Sequence, residues 1–278
     1  MTTSINLESL SSFEDSVITL LESGSTGFSD SLVNIVNSPT YQYLVRNFWY
    51  APETEAKWLP LFKKAAIISR ILRMQSSTSR VVTILGESGT GKELFAEAFA
   101  AGRKFVAINC TSLPDQLLES ELFGHVSGAF TGALRDKDGL LVEARNGVAF
   151  LDEIGDMPPN LQAKLLRVIQ NRTVRPVGSN KEQPIQCVIV CASNQDLRQT
   201  LRNDLFWRLT TFILELPSLR DRLDEIDWLI RCRLDVAQLL DKEDRVAICE
   251  QMRQSTGNFR ELQSLVMRTK MKKWLARC

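Results

Sequence analysis

An α/β fold on a mostly parallel five-stranded sheet is predicted for this 278-residue sequence by three observations. Five short apolar runs read as strands: RVVTILG (80–86), FVAIN (105–109), GVAFLDE (147–153), IQCVIVCAS (185–193) and TTFILELP (210–217). Helical spacing fills most of the gaps between them, and such alternation belongs to parallel sheets covered on both faces. A glycine-rich turn, GESGTGK, joins the first strand to a helix. From Asp224 onward the strands stop and helical patterns dominate, which predicts a small helical subdomain.

Residues 1–54 form an acidic helical extension, a candidate regulatory or docking segment. No Lys or Arg precedes Arg46, while Glu8, Glu14, Asp15, Glu22 and Asp30 are acidic. Ser12 with Asp15 three residues on offers a helix start, Phe13, Val17, Leu20 and Leu21 an apolar face, and Gly24 a stop. YQYLVRNFWY (41–50) holds all three tyrosines, and reads either as a docking surface or as packing against the main domain. LPLFKKAAIISRILRM (59–74) is helical and leads into the core, residues 55–222. Residues 223–278 are the helical remainder, ending in a basic helix with Arg268, Lys270, Lys272, Lys273 and Arg277.

Hydrophobic content of 44% and charged content of 24% are those of an ordinary globular protein, and the net charge of +1 sets up no global field for nucleic acid or membrane. No apolar run reaches a membrane span, and the first residues lack the basic region of a signal peptide. Six cysteines without CxxC spacing read as reduced structural thiols, so a cytoplasmic location is expected. Cys187 and Cys191 fall on one face of a buried strand. His125 is the single histidine, which excludes a His-rich metal site.

In the turn Gly86-Glu87-Ser88-Gly89-Thr90-Gly91-Lys92-Glu93, the glycines let backbone N–H groups curl toward phosphate oxygens. The following helix adds its positive N-terminal end, and Lys92 can reach the terminal phosphates. Glu93 stands where most such loops carry Ser or Thr for Mg²⁺, so the ion must lean on phosphate oxygens, water and another carboxylate. GVAFLDE supplies one: Asp152 to hold Mg²⁺ through water, with Glu153 as general base on the attacking water.

GHVSGAFTGALRD (124–136) interrupts helical spacing on both sides, SLPDQLLESELF before it and LLVEARNG after. Each of Gly128 and Gly132 would cost a helix about 1 kcal/mol relative to Ala. A loop with an apolar tip at that cost reads as a contact element, or as an ordinary surface turn.

GESGTGKE, ESELFGHVSGAFTGA, FLDEIGDMPPNLQAKLLRVIQ and TGNFREL together resemble the AAA+ domain of bacterial sigma-54-dependent transcriptional activators, over about residues 58–268. The resemblance implies an αβα sandwich with a helical lid, and an ATPase that remodels sigma-54 RNA polymerase from a ring, usually a hexamer. It implies that Gly128, Ala129, Phe130, Thr131, Gly132 and Ala133 contact sigma-54, with Phe130 and Thr131 at the apex and a second loop near 175–180. Asn109 matches the residue that restrains the catalytic glutamate, and Asn194 the γ-phosphate sensor. Arg202 and Arg208 match fingers that reach the next protomer's nucleotide, and Arg260 the lid sensor. The finger segment follows Asn194 more closely than is usual in the family, the lid is short, and Thr256 replaces a usual proline. Neither a receiver domain before the ATPase nor a helix-turn-helix after it is expected, so sequence-specific DNA binding is not expected from this chain. Two other functions fit less fully: a nucleotide-binding partner of a paralogous activator that does not itself activate, and a remodeller of some other substrate.

Overall fold

The computed structural model describes residues 35–73, 80–235 and 238–275. The helix expected from Ser12 lies outside them. The central sheet contains β1 (Val81–Leu85), β2 (Phe105–Asn109), β5 (Val148–Asp152), β8 (Val188–Ser193) and β9 (Ile213–Glu215). Their order is β2-β5-β8-β1-β9, and every pairing is parallel. All five runs read as strands are therefore strands, in one parallel sheet covered by helices on both faces, as expected.

Strand periodicity divides the core. Ala149, Leu151, Ile189 and Cys191 face one side, which is covered by α4 (Asp115–Phe123), α6 (Pro159–Asn171), the short α7 (Leu197–Thr200) and α8 (Asn203–Leu209). Ile84, Phe150 and Val190 face the other side, under α1 (Pro39–Asn47), α2 (Glu55–Arg73) and α3 (Lys92–Ala100). Cys187 and Cys191 both lie on the first side and are fully buried, and burial pushes the Cys187 thiol up to about 11. Each large apolar side chain buried in this way contributes about 1.5–3 kcal/mol of transfer free energy.

The aromatic segment packs against the core. Tyr41 and Phe48 are buried, and the Phe48 ring centre lies 4.5 Å from Trp58 and 5.3 Å from Phe95. The lid consists of α9 (Leu223–Leu229), α10 (Lys242–Met252) and α11 (Asn258–Leu275), around Ile226, Leu229, Ile248, Met252, Leu262 and Val266. Asp241 starts α10 through a reciprocal pair of bonds with Asp244.

Between β2 and β5, α4 is followed by a two-residue antiparallel ladder, β3 (Gly124–His125) with β4 (Lys137–Asp138), and then by the short α5 (Leu140–Glu143). After α6 a second ladder, β6 (Thr173–Val174) with β7 (Gln183–Pro184), closes another loop.

Candidate functional site

The carboxyl ends of β1, β5 and β8 converge, as expected of ligand sites in parallel sheets. Gly86 donates its N–H to Ser193 at 3.1 Å, which holds the glycine turn against the end of β8. Lys92 is almost fully buried, and its Nζ donates to the carbonyls of Gly86 (2.8 Å) and Glu87 (3.0 Å). Burial lowers its pKa, while Glu153 and Asp152 oppose the shift. A buried ammonium held only by turn carbonyls is suited to exchange them for phosphate oxygens.

Glu153 sits in the left-handed region at φ 51°, a strained turn of the kind found at functional sites. Its Oε2 is buried without a hydrogen-bond partner. Burial and the neighbouring Asp152 raise its pKa; Lys92 and the backbone N–H of Asn194 pull the other way. A carboxylate with an orphaned, inward oxygen and a raised pKa is equipped to take a proton from water. Asp152 accepts the Glu153 N–H at 3.0 Å.

Asn109 meets Asp152, not Glu153: the β2–β5 register pairs Asn109 with Asp152, and their side chains lie 3.5 Å apart. Asn109 Oδ1 also accepts from the Thr111 N–H and hydroxyl at 2.8 and 2.6 Å.

The lid touches the phosphate turn directly. Phe259 donates its N–H to the Gly89 carbonyl at 3.2 Å, and a Cβ on Gly89 would come within 2.7 Å of the Gly257 carbonyl, so only glycine fits. Asn258, itself buried, donates to Glu87 Oε2 and to the Ser88 carbonyl, both at 3.0 Å. Arg220 ion-pairs with Glu87, and Arg260 donates to Ser88 Oγ at 3.3 Å. Thr90 is buried and Glu93 is exposed on α3.

The loop between β3 and β4 closes on itself where Gly128 N–H meets the Ala133 carbonyl at 2.8 Å. Gly128 and Gly132 have φ 81° and 101° in open space, so they serve backbone conformation and not packing. Ala133 is buried and Ala129 half-buried, while Thr131 is exposed and Leu134 is 91% exposed. Phe130 folds back, half-buried, with its ring edge-on to His125 at 5.0 Å. His125 bridges to Val177 of the second loop, and Val126 N–H and Val177 N–H bond across the junction at 3.1 and 2.9 Å. The two loops are therefore zipped together at their roots.

The family model of the sigma-54 interaction domain matches residues 62–215. The chain belongs to that family. It is 45% identical over 193 residues to the transcriptional regulatory protein GlrR of Escherichia coli, covering 64% of this chain and 44% of the relative. The ATP complex of NtrX from Brucella abortus superposes with a TM-score of 0.64 at 29% identity, over 77% of this chain and 50% of NtrX. Hsp104 bound to ATPγS and casein aligns with a TM-score of 0.63 at 16% identity, over 90% of this chain and 49% of Hsp104, a likeness of fold alone. The chain thus spans about half the length or less of these proteins.

Within this sigma-54 interaction domain, Arg208 is exposed on α8 without an ion pair among the described residues, whereas Arg202 forks onto Asp204 at 2.8 and 3.1 Å. Other residues around the turn escaped sequence reasoning. Phe48, Trp49, Leu94 and Phe259 line a cleft beside Gly89 and Gly91. The aromatic run was the visible signal for Phe48 and Trp49, but nothing in the sequence distinguished a cleft wall from packing. Asn258 stands within TGNFREL, but its partner, like that of Arg220, was hidden, because the contacts span 171 and 133 residues.

A buried ion pair ties lid to core here. Arg222 Nη1 lies 3.2 Å from Glu225, Trp58 Nε1 donates to the same carboxylate at 3.0 Å, and the guanidinium stacks over Trp58 at 4.6 Å. Burial lowers the Arg222 pKa against the pull of Glu225. Glu225→Ala is expected to cost about 3–5 kcal/mol of unfolding free energy, because it strands a buried guanidinium. Denaturant titration measures the loss, and a change below about 1 kcal/mol would mean the pair is solvated.

Proposed function

We propose that this chain hydrolyses ATP in a ring of copies and uses the 126–136 loop to remodel a sigma-54 RNA polymerase complex. One observation carries the reading. The loop is inserted between β2 and β5, and α4 leads from the end of β2, where Asn109 meets Asp152, to the loop's root, which offers a path from the nucleotide's acidic edge to the loop. Lys92 and the N-terminus of α3 bind the phosphates, the Phe48–Trp49–Phe259 cleft takes the base, and Arg260 and Asn194 approach from the lid and β8. Glu153 takes the proton of the attacking water. No cluster of three or more acidic, His or Cys side chains fit for a metal exists among the described residues. Magnesium would therefore rest mainly on phosphate oxygens, with Asp152 holding it through water, and would neutralise charge on the transferred phosphoryl group.

In this reading Arg208 is the stronger finger, since no intrachain partner must be broken to free it. Turnover per subunit is expected to rise with protein concentration, because a guanidinium supplied by the neighbour completes each site. Arg208→Ala and Glu153→Ala subunits, each inactive alone, are expected to recover part of the activity when mixed, at interfaces that pair an intact glutamate with an intact arginine. Phosphate release from the mixture tests this; a verified monomer with concentration-independent turnover would overturn it. Transcription from a sigma-54 promoter on supercoiled DNA, with and without ATP, tests the function as a whole.

A further inference from the structure

Four large apolar side chains stand out from α11: Met267, Met271, Trp274 and Leu275, each 60% exposed or more. Spacings of four, three and one gather them into a single stripe, opposite Leu262 and Val266, which pack into the lid. Lys270 and Lys273 are held by Asp235 and by Asp241 with Asp244. Arg268 and Lys272 border the stripe, exposed and without an ion pair among the described residues. A contiguous apolar patch with a basic rim marks an interaction surface.

We propose that the chain's own acidic N-terminal segment, residues 8–22, covers this stripe. The chemistry is complementary in both respects. Phe13, Val17, Leu20 and Leu21 recur at helical spacing, and Glu8, Glu14, Asp15 and Glu22 accompany them with no basic residue before Arg46. Pairing α11 with a second α11 would set Arg268 and Lys272 against their own copies, and a nucleic-acid backbone would leave four large apolar groups uncovered. The geometry also permits an intrachain contact. Trp49 packs on Phe259 with ring centres 5.3 Å apart, which anchors the aromatic segment at the start of α11. From Phe259 to Trp274 the helix runs about 22 Å. The chain between Glu22 and Ile35 can span up to about 40 Å when extended. The contact is held partly by charge, so salt weakens it.

Amide hydrogen exchange on the full-length protein tests the contact without reference to nucleotide or sigma-54. At low salt, amides of residues 12–22 are expected to exchange on the order of tenfold more slowly than in an unstructured chain. That protection is expected to vanish in Met271→Glu/Leu275→Glu, while the amides of α11 keep theirs and so report an intact lid. Should that variant disturb α11, the charge reversal Arg268→Glu/Lys272→Glu, which leaves the apolar stripe in place, is expected to remove most of the protection instead. Absence of protection in the wild type, or protection unchanged by a variant whose α11 is intact, overturns the proposal. Protection that grows with protein concentration overturns the intrachain contact and assigns the surface to a second copy.

Discussion

Glu153→Ala is expected to bind ATP as the wild type does and to lower turnover by about 10²–10⁴-fold, the usual contribution of a general base. Lys92→Ala is expected to lose nucleotide binding itself. The difference follows from where the two groups stand. Lys92 is buried inside the turn, and its Nζ is held by turn carbonyls at 2.8 and 3.0 Å. Its removal takes the positive charge from the phosphate cradle. Glu153 lies at the end of β5 with one oxygen unpartnered, where it can act on water without holding the nucleotide. Equilibrium binding of a fluorescent ATP analogue beside phosphate release separates the two effects. Wild-type turnover in Glu153→Ala would remove Glu153 from the role of base.

The same carboxyl leaves a mark on stability. Its pKa in the folded protein is raised by burial and by Asp152. Below the unfolded carboxylate range, about pH 4.3, both states are protonated and the group is neutral to stability. As the pH rises, the unfolded chain ionises more readily than the folded one, and stability falls. Glu153→Gln is therefore expected to raise the melting temperature at neutral pH, and the gain should fade as the solution is acidified.

The fold was legible because strand and turn signals are local. RVVTILG followed by GESGTGK needs no distant partner to declare a strand, a phosphate turn and a helix. GVAFLDE likewise placed Asp152 and Glu153 at a strand's carboxyl end. What stayed hidden depends on contacts between distant segments. The partner of Asn109 is fixed by β2–β5 register, which local pattern does not contain, and so the side chain meets Asp152. Asn258 and Arg220 reach Glu87 only once the lid has folded onto the turn. The two short ladders at the loop roots, each two residues long, carry too little alternation to register as strands.

Loss of the Phe130 side chain is expected to separate ATP hydrolysis from engagement of sigma-54. Phe130 touches His125 and no part of the phosphate turn, so Phe130→Ala is expected to hydrolyse ATP at close to the wild-type rate. The ring is only half-buried, so the stability cost should fall below the about 3–5 kcal/mol of a fully buried phenylalanine. Folded against His125, the ring is not the outermost apolar group; Leu134 is, at 91% exposure. Being half-buried, the ring keeps part of its surface toward solvent, and the bonds of Val126 and Val177 fix the root of the loop that carries it. Leu134→Ala, by contrast, is expected to change stability by no more than about 0.5 kcal/mol, since it touches little in the folded loop. Sedimentation with sigma-54 and a transition-state nucleotide analogue, run beside phosphate release on the same preparation, reads both activities. Phe130→Ala should abolish complex formation and keep hydrolysis. Loss of both activities, or of neither, would make the hexapeptide a structural turn, with Phe130 there to pack on His125 and nothing more.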